Sequence, residues 1–335
     1  MSFGGIPIQN VSRNQAVAVV RRALALGMNF IDTARGYSVS EGIIGEAIRG
    51  LRSECVIATK TMARTAQEAE KDLQTSLSQL GMESVDLYQI HNVNNDEALE
   101  QVMKPQGVLD SFKKARREGK IKFIGITSHR PSVLVKAIKS GEFDTIMVPL
   151  NYVERTPISE LLPLATQLDV GTIVMKPLGG GAFTNVEDAL KFVLKQSIST
   201  VAVGVCTIKE VKQSVAVGNM PFTFDRDAEI RLEEQAKTLG KSFCRACDYC
   251  QPCPENIPIS ALTRADTYIK RMGFENWHTI YPGAVEKYEN CQNCRKCETR
   301  CPYQLPILEI MATKVTWLRK EYRHKLAESK PEEGK

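Results

Sequence analysis

Between residues 29 and 204 the chain repeats one pattern: a short apolar run, then a longer stretch whose apolar positions recur every three or four residues. The runs are NFIDTA (29–34), CVIATK (55–60), VDLYQIH (85–91), FIGITS (123–128), TIMVPL (145–150), GTIVMKP (171–177) and TVAVG (200–204). SFGGIPI (2–8) makes an eighth. Their apolar character is continuous rather than alternating, so both faces of each strand are expected to be buried, as in a parallel sheet covered by helices. The intervening stretches carry helix signals at both ends. SRNQAVAVVRRALALG opens on Ser12 as an N-cap and closes on Gly27, and TAQEAEKDLQTSLSQLG does the same with Thr65 and Gly81. Eight strand–helix units fit an α/β fold of the (β/α)8 TIM-barrel type over residues 1–220 better than an open doubly wound sheet. The first unit lacks Gly-x-Gly-x-x-Gly, which argues against a Rossmann domain.

Near residue 220 the pattern stops. NMPFTFDRD is a break, and AEIRLEEQAKTLG predicts a linking helix within 221–240. A second, smaller domain follows over 241–327, with helical SALTRADTYIKRMGF in its middle and an amphipathic tail helix, LPILEIMATKVTWLRKEYRHKL. Residues 328–335 are charged and expected to be disordered.

Composition adds exclusions. A formal net charge of +5 is spread over 44 basic and 39 acidic side chains, so nucleic-acid binding is not expected. No apolar stretch reaches membrane-spanning length, and MSFGGIPIQN has no basic segment followed by an apolar one, so neither a membrane span nor a secretory signal is expected. The expected compartment is the cytoplasm, where clustered thiols bind metal more often than they form disulfides.

In a barrel of this kind the chemistry sits at the C-terminal ends of the strands. The polar residues there are Asp32, Lys60 and His91, with Tyr37 in the loop after Asp32. Singly, each has an ordinary structural reading; together they point to one mouth. NFIDTARGYSVSEGIIGEAI, VIATK and VDLYQIH resemble the aldo-keto reductase superfamily over residues 2–220. The resemblance implies an NAD(P)H-dependent oxidoreductase interconverting a small carbonyl and an alcohol. Tyr37 is then the general acid, Lys60 lowers its pKa, Asp32 holds Lys60, and His91 bonds the same substrate oxygen. It also implies coenzyme contacts at Gly5, Ser128, Asn151 and Met175, then along Lys176, Pro177, Leu178, Gly179, Gly180 and Gly181. The adenosine end falls at Gly204, Lys209, Lys212 and Gln213, where the two lysines suit a 2′-phosphate and favour NADP over NAD. Met147, Met175 and His129 depart from residues common in such relatives.

The tail carries eight of the ten cysteines in two runs. Cys244, Cys247, Cys250 and Cys253 stand two residues apart with Pro254 following. Cys291, Cys294, Cys297 and Cys301 follow the bacterial ferredoxin spacing, with Pro302 next. A four-thiolate zinc site uses C-x2-C pairs, but it has no use for a third evenly spaced cysteine or for Cys-Pro, and both occur twice. Two 4Fe–4S clusters are expected. Because the cysteine before proline ligates the other cluster in this pattern, one set is Cys244, Cys247, Cys250 and Cys301, and the other is Cys291, Cys294, Cys297 and Cys253. The 37 residues between the runs are too long for the compact β-rich bacterial domain, and the segment resembles an α-helical ferredoxin. NIPI and QLPI, with Pro258 and Pro306, suggest two equivalent halves. Cys55 and Cys206 are read as ordinary buried thiols. The clusters are expected to exchange electrons with a redox partner protein. The alternative is a nucleotide-binding barrel whose clusters are structural or recruit that partner.

Overall fold

The computed structural model describes residues 1–3, 11–220 and 225–328, without the side chains of 327 and 328. Most of the first apolar run, including Gly5, lies outside the described residues, as do 329–335 of the expected tail. Contacts divide the chain into two compact units, Met1–Glu233 and Glu234–Lys335.

The first unit alternates helices and strands. In order these are α1 (Arg13–Ala25), β1 (Phe30–Asp32), α2 (Ser40–Ala47), β2 (Val56–Thr61), α3 (Ala66–Leu80) and β3 (Val85–Ile90). Next come α4 (Asp96–Met103), α5 (Val108–Arg117), β4 (Ile121–Thr127), α6 (Pro131–Lys139) and β5 (Thr145–Pro149). The unit continues with α7 (Leu161–Gln167), β6 (Gly171–Met175), α8 (Val186–Leu194), β7 (Thr200–Ala202) and α9 (Ile208–Asn219). The seven strands form one sheet in sequence order, every neighbouring pair parallel. Residues 1–3 stand between its edges: Ser2 bridges Asp32 on one side and Gly204 on the other. The Ser2 amide donates to Val203 O at 2.7 Å and the Asp32 amide to Met1 O at 2.8 Å. These bonds close the barrel at the eighth strand position.

The capping signals form as expected. Ser12 makes a capping box with Gln15, and Thr65 accepts from the Glu68 amide. Gly81 ends α3 in the left-handed conformation at φ +65°, which a side chain would strain. β3 is buried at every position, as its apolar run implied, but Lys122 and Phe123 at the start of β4 are exposed.

Strand periodicity divides the buried residues into two layers. Outward residues such as Ile31, Ile57 and Tyr88 pack with the helices. Inward Ala58, Leu87, Met147, Ile173 and Ala202 form a separate cluster with Phe30 and Met175. Asp32, Lys60 and Gln89 share the parity of Phe30, Ala58 and Leu87, so they continue that inner file one step toward the C-terminal mouth. Gly125 belongs to it too: a Cβ there would lie 2.5 Å from Thr145 Oγ1 and 2.8 Å from Gln89 Cγ.

The division between units falls within α10 (Arg226–Gly240). The second unit then contains α11 (Ile259–Thr263), α12 (Ala265–Met272), α13 (Phe274–Ile280), α14 (Ala284–Glu289), α15 (Lys296–Arg300), α16 (Ile307–Glu321) and α17 (Arg323–Glu328). The expected tail helix is therefore two helices, broken at Tyr322. The core of this unit includes the fully buried Trp277, with Leu262, Met272, Met311 and Leu318.

Candidate active site and metal centre

The barrel mouth is organised by one buried ion pair. Lys60 and Asp32 are 1 % and 2 % exposed. Lys60 Nζ donates to Asp32 Oδ1 at 2.8 Å and to Thr33 O at 2.6 Å. Asp32 also accepts from Ser2 Oγ at 3.1 Å and, at the outer limit, from Gln89 Nε2 at 3.5 Å. The loop after β1 continues the pairing with β2, Thr33 N bonding Ala58 O and Arg35 N bonding Lys60 O. Tyr37 follows in a turn closed by its amide on Ala34 O at 2.9 Å. Its ring centre lies 5.0 Å from Lys60 Nζ and 5.9 Å from the His91 ring, which meets it edge-on at 82°. All four sequence-predicted groups are thus brought into one place.

Two residues at the site escaped the sequence reading. Glu41 is a buried carboxylate that accepts from Thr59 Oγ1 at 2.7 Å and pairs with Arg35, tying both ends of the Tyr37 loop to β2. Gln89 is the polar break in an otherwise apolar strand face, and that break is the signal that could have found it. Arg64 fixes the His91 loop, donating to His91 O at 2.7 Å and Asn92 O at 3.2 Å.

Burial pushes the Tyr37 phenol above its ordinary pKa; Lys60 pulls it down and Asp32 pushes it up. The expected effect of Lys60 has the right sign but is smaller than desolvation. His91 is lowered to about 3, first by burial and then by the charges of Lys60 and Arg64. At neutral pH the site therefore presents a neutral phenol and a neutral imidazole. His91 Nδ1 is buried without a hydrogen-bond partner among the described residues, and so is His129 Nδ1.

The expected coenzyme positions fall into three groups. Ser128 is fully buried beside the mouth, where its hydroxyl lies 3.2 Å from Asn94 Oδ1, which also accepts from the His129 amide. Asn151 is engaged within its own loop: Oδ1 accepts from the Val153 and Glu154 amides and Nδ2 donates to Lys176 O. Met175 ends β6, and the turn beyond it needs its glycines, with Lys176, Gly179, Gly180 and Gly181 all at positive φ and Pro177 and Leu178 between them. Gly204 closes the sheet on Ser2. Lys209, Lys212 and Gln213 are exposed on α9. The start of α9 is capped by a carboxylate. Glu210 Oε2 accepts from the Cys206 and Thr207 amides at 2.7 and 3.2 Å, and from Cys206 Sγ at 3.2 Å. Cys206 is accordingly half-buried and hydrogen-bonded rather than an ordinary core thiol, whereas Cys55 is buried as expected.

In the second unit the two cysteine runs share one backbone plan. Two and four residues after the first cysteine of each, the chain is left-handed: Ala246 and Asp248, Asn293 and Arg295. Such alternation turns successive amides inward and suits anionic sulfur clusters. The Ala246 amide reaches Cys244 Sγ at 3.4 Å. Asn256 and Gln304, three residues after Cys253 and Cys301, are again left-handed and donate to those cysteines' carbonyls at 3.0 and 3.1 Å. Pro258 and Pro306 then cap α11 and α16 with nearly equal φ, ψ angles, −77°, 76° and −73°, 73°.

The runs also interlock. Cys250, Cys253, Cys291, Cys294 and Cys297 all line one cavity of about 440 Å³. Next to Cys253, Pro252 O accepts from Arg300 Nη1 at 2.7 Å, and Glu255 accepts from Gln292 at 2.7 Å. On the other side Arg245, next to Cys244, stacks 4.2 Å over Tyr303, which follows Cys301 by two. Burial is the first cause raising the Cys250 and Cys297 thiols; nearby thiol and carboxyl groups add to it.

Comparison with known proteins places both units. A model described as "Aldo/keto reductase family" matches residues 1–189, and one described as "4Fe-4S dicluster domain" matches 243–306. Curated relatives include an uncharacterized oxidoreductase of Bacillus subtilis, YqkF, 27% identical over 186 residues (51% of this chain, 58% of the relative). L-galactose dehydrogenase of Arabidopsis thaliana is 26% identical over 287 residues, 70% of this chain and 89% of that one. Of the first of these the chain thus spans little more than half the length. Among solved structures, an aldo-keto reductase of Bacillus halodurans in its holo form superposes with a TM-score of 0.58 at 22% identity, covering 71% of this chain and 91% of that one. One from Klebsiella pneumoniae in complex with NADP and acetate gives 0.59 at 20% identity, covering 70% and 90%. The barrel, the residues at its mouth and a family match over more than half of the chain agree: this protein belongs to the aldo/keto reductase family.

Proposed function

We propose that the protein is an NADP(H)-dependent oxidoreductase interconverting a small carbonyl and an alcohol in the barrel, and that its second unit carries two 4Fe–4S clusters that exchange electrons with a partner. The observation that carries the first half is Lys60, held by Asp32 and lying 5.0 Å from the Tyr37 ring centre with His91 alongside. When bound, the nicotinamide supplies or accepts the hydride. Positions fit for it are Ser128 and His129 at the mouth and the glycine turn 179–181, where the lack of side chains allows a ligand to come close to the backbone. Tyr37, neutral because it is buried, donates its phenolic proton to the carbonyl oxygen and takes it back in the reverse direction. Lys60 stabilises the phenolate that remains, and Asp32 keeps Lys60 in place. His91, neutral and with Nδ1 uncommitted, orients the substrate oxygen. Tyr37→Phe should abolish carbonyl turnover while NADPH still binds, measured by quenching of coenzyme fluorescence. Turnover within twofold of the parent would refute the assignment.

The cysteine plan supports the second half. We assign Cys253, Cys291, Cys294 and Cys297 to one cluster, because Cys253 borders one cavity with the first three cysteines of the second run and the spacing gives Cys250, which also borders it, to the first run's own set. Cys244, Cys247, Cys250 and Cys301 go to the other, because Arg245 and Tyr303 join their neighbourhoods.

A further inference from the structure

Two side chains outside the four mouth groups hold the loop that carries His91. Arg64, from the loop after β2, directs its terminal N–H groups at four backbone carbonyls. Nη1 donates to Met62 O and Ala63 O, both at 3.0 Å, and Nη2 to His91 O at 2.7 Å and Asn92 O at 3.2 Å. One planar fork thus ties the end of β2 to the end of β3, a reach that a lysine ammonium, with its donors at one point, does not match. Asn94 holds the other side. Its Oδ1 accepts from Ser128 Oγ at 3.2 Å and from the His129 amide at 2.8 Å, and its Nδ2 donates to Asn92 Oδ1. The His129 amide can only donate, so it fixes which way the Asn94 amide faces. Between the two, Asn92 is left-handed at φ +60°, with its amide on Thr127 Oγ1 at 2.8 Å. The imidazole of His91 has no such ties on Nδ1 among the described residues and meets the Tyr37 ring only edge-on. Its place is therefore set by the backbone at 91 and 92.

We propose that Arg64 and Asn94 are positioning residues for the reaction at Tyr37: they hold the His91 loop from both sides so that the imidazole stays edge-on to the phenol. Asn94 also joins that loop to Ser128 and His129, the positions read above as fit for the nicotinamide. The inference rests on the carbonyl-reduction reading. Both side chains act through His91, whose hydrogen bond must meet the substrate oxygen as Tyr37 gives up its proton. A shift of about 1 Å in such a group lowers turnover by up to about 100-fold. A bond made mainly in the transition state contributes little to ground-state binding, so the loss should fall on kcat rather than KM.

The test compares Arg64→Lys and Asn94→Ala with the parent, as full-length protein. Arg64→Lys keeps the charge but cannot serve both loops. It should lower kcat for carbonyl reduction roughly 10- to 100-fold and leave KM and the NADPH Kd within about threefold. Asn94→Ala should lower kcat by a similar factor and also weaken NADPH binding, because Ser128 and His129 lose their shared partner. A readout independent of turnover is hydrogen exchange at imidazole C2 of His91, followed by mass spectrometry without coenzyme. It should run faster in both variants, while the amides of β2 and β3 stay as protected as in the parent. Parent-like kcat in Arg64→Lys, a loss confined to KM, unchanged His91 exchange, or general loss of β2 and β3 protection in Arg64→Lys would overturn the proposal. A parent that turns over no carbonyl would overturn the reading beneath it, and the His91 exchange would still decide whether these two side chains hold the ring.

Discussion

Asp32→Asn tests how far the barrel depends on its buried ion pair. The substitution keeps the shape and an acceptor oxygen but removes the negative charge opposite Lys60. At the observed 2.8 Å and an effective dielectric of about 20, the lost attraction is about 6 kcal/mol. The Thr33 carbonyl at 2.6 Å still accepts from Lys60 and recovers part of it. Breaking a buried pair from one side costs about 3–5 kcal/mol, and the same is expected here. In the double variant Asp32→Asn/Lys60→Met no buried ammonium is left, so its cost should be less than the sum of the single costs by at least ~1 kcal/mol. Both tryptophans, Trp277 and Trp317, lie in the second unit, so their fluorescence does not report on the barrel. Hydrogen exchange of β2 and β3 peptides in rising urea, read by mass spectrometry, isolates the barrel, with tryptophan fluorescence as the control. A cost below about 1 kcal/mol for Asp32→Asn, or strict additivity in the cycle, would refute the view that this pair is an unscreened charge interaction.

Two further predictions follow from the same geometry. Folded His91 has a pKa of about 3 against an ordinary 6.5, so between those values the unfolded chain holds a proton that the folded chain does not. Its contribution therefore lowers stability as pH falls through that window, and His91→Gln should lose less stability than the parent between pH 7 and pH 5. Equal losses in urea melts would show that His91 does not titrate differently on unfolding. For the interlocked ligand sets, Cys253→Ala should remove the cluster signal shared with Cys291, Cys294 and Cys297, and Cys301→Ala the other. The same signal disappearing in both variants would mean that the runs do not exchange their last cysteines.

The barrel was legible because its strands are buried on both faces and its helices carry strong end signals: Ser12 with Gln15, Thr65 with Gly81. The order Asp32, Tyr37, Lys60, His91 was legible because strand ends in a barrel face one mouth. Glu41 was not, since within an amphipathic helix a carboxylate reads as surface until Thr59 and Arg35 are brought against it. The cap of α9 was not legible for a related reason: that Glu210 folds back over the helix start, three residues after Thr207, shows only in three dimensions. The reverse holds for the cysteine runs: the matching NIPI and QLPI segments after each run implied the plan of two halves, and the matched left-handed residues give its physical basis.

On the proposed function the two units would handle electrons in different ways, and this constrains any link between them. A carbonyl reduced in the barrel would gain an electron pair with a hydrogen nucleus, with Tyr37, as proposed, supplying the accompanying proton. In that proposal Tyr37, Lys60, Asp32 and His91 hold and move protons rather than single electrons. A 4Fe–4S cluster passes one electron at a time. Direct exchange between the chemistries would therefore strand a radical on the substrate or coenzyme, which these four residues do nothing to stabilise. Two clusters relax the demand, because together they can hold an electron pair delivered in two steps. An electron-splitting carrier that accepts hydride on one side and releases single electrons on the other is then the chemical class of partner that would join the two units' work.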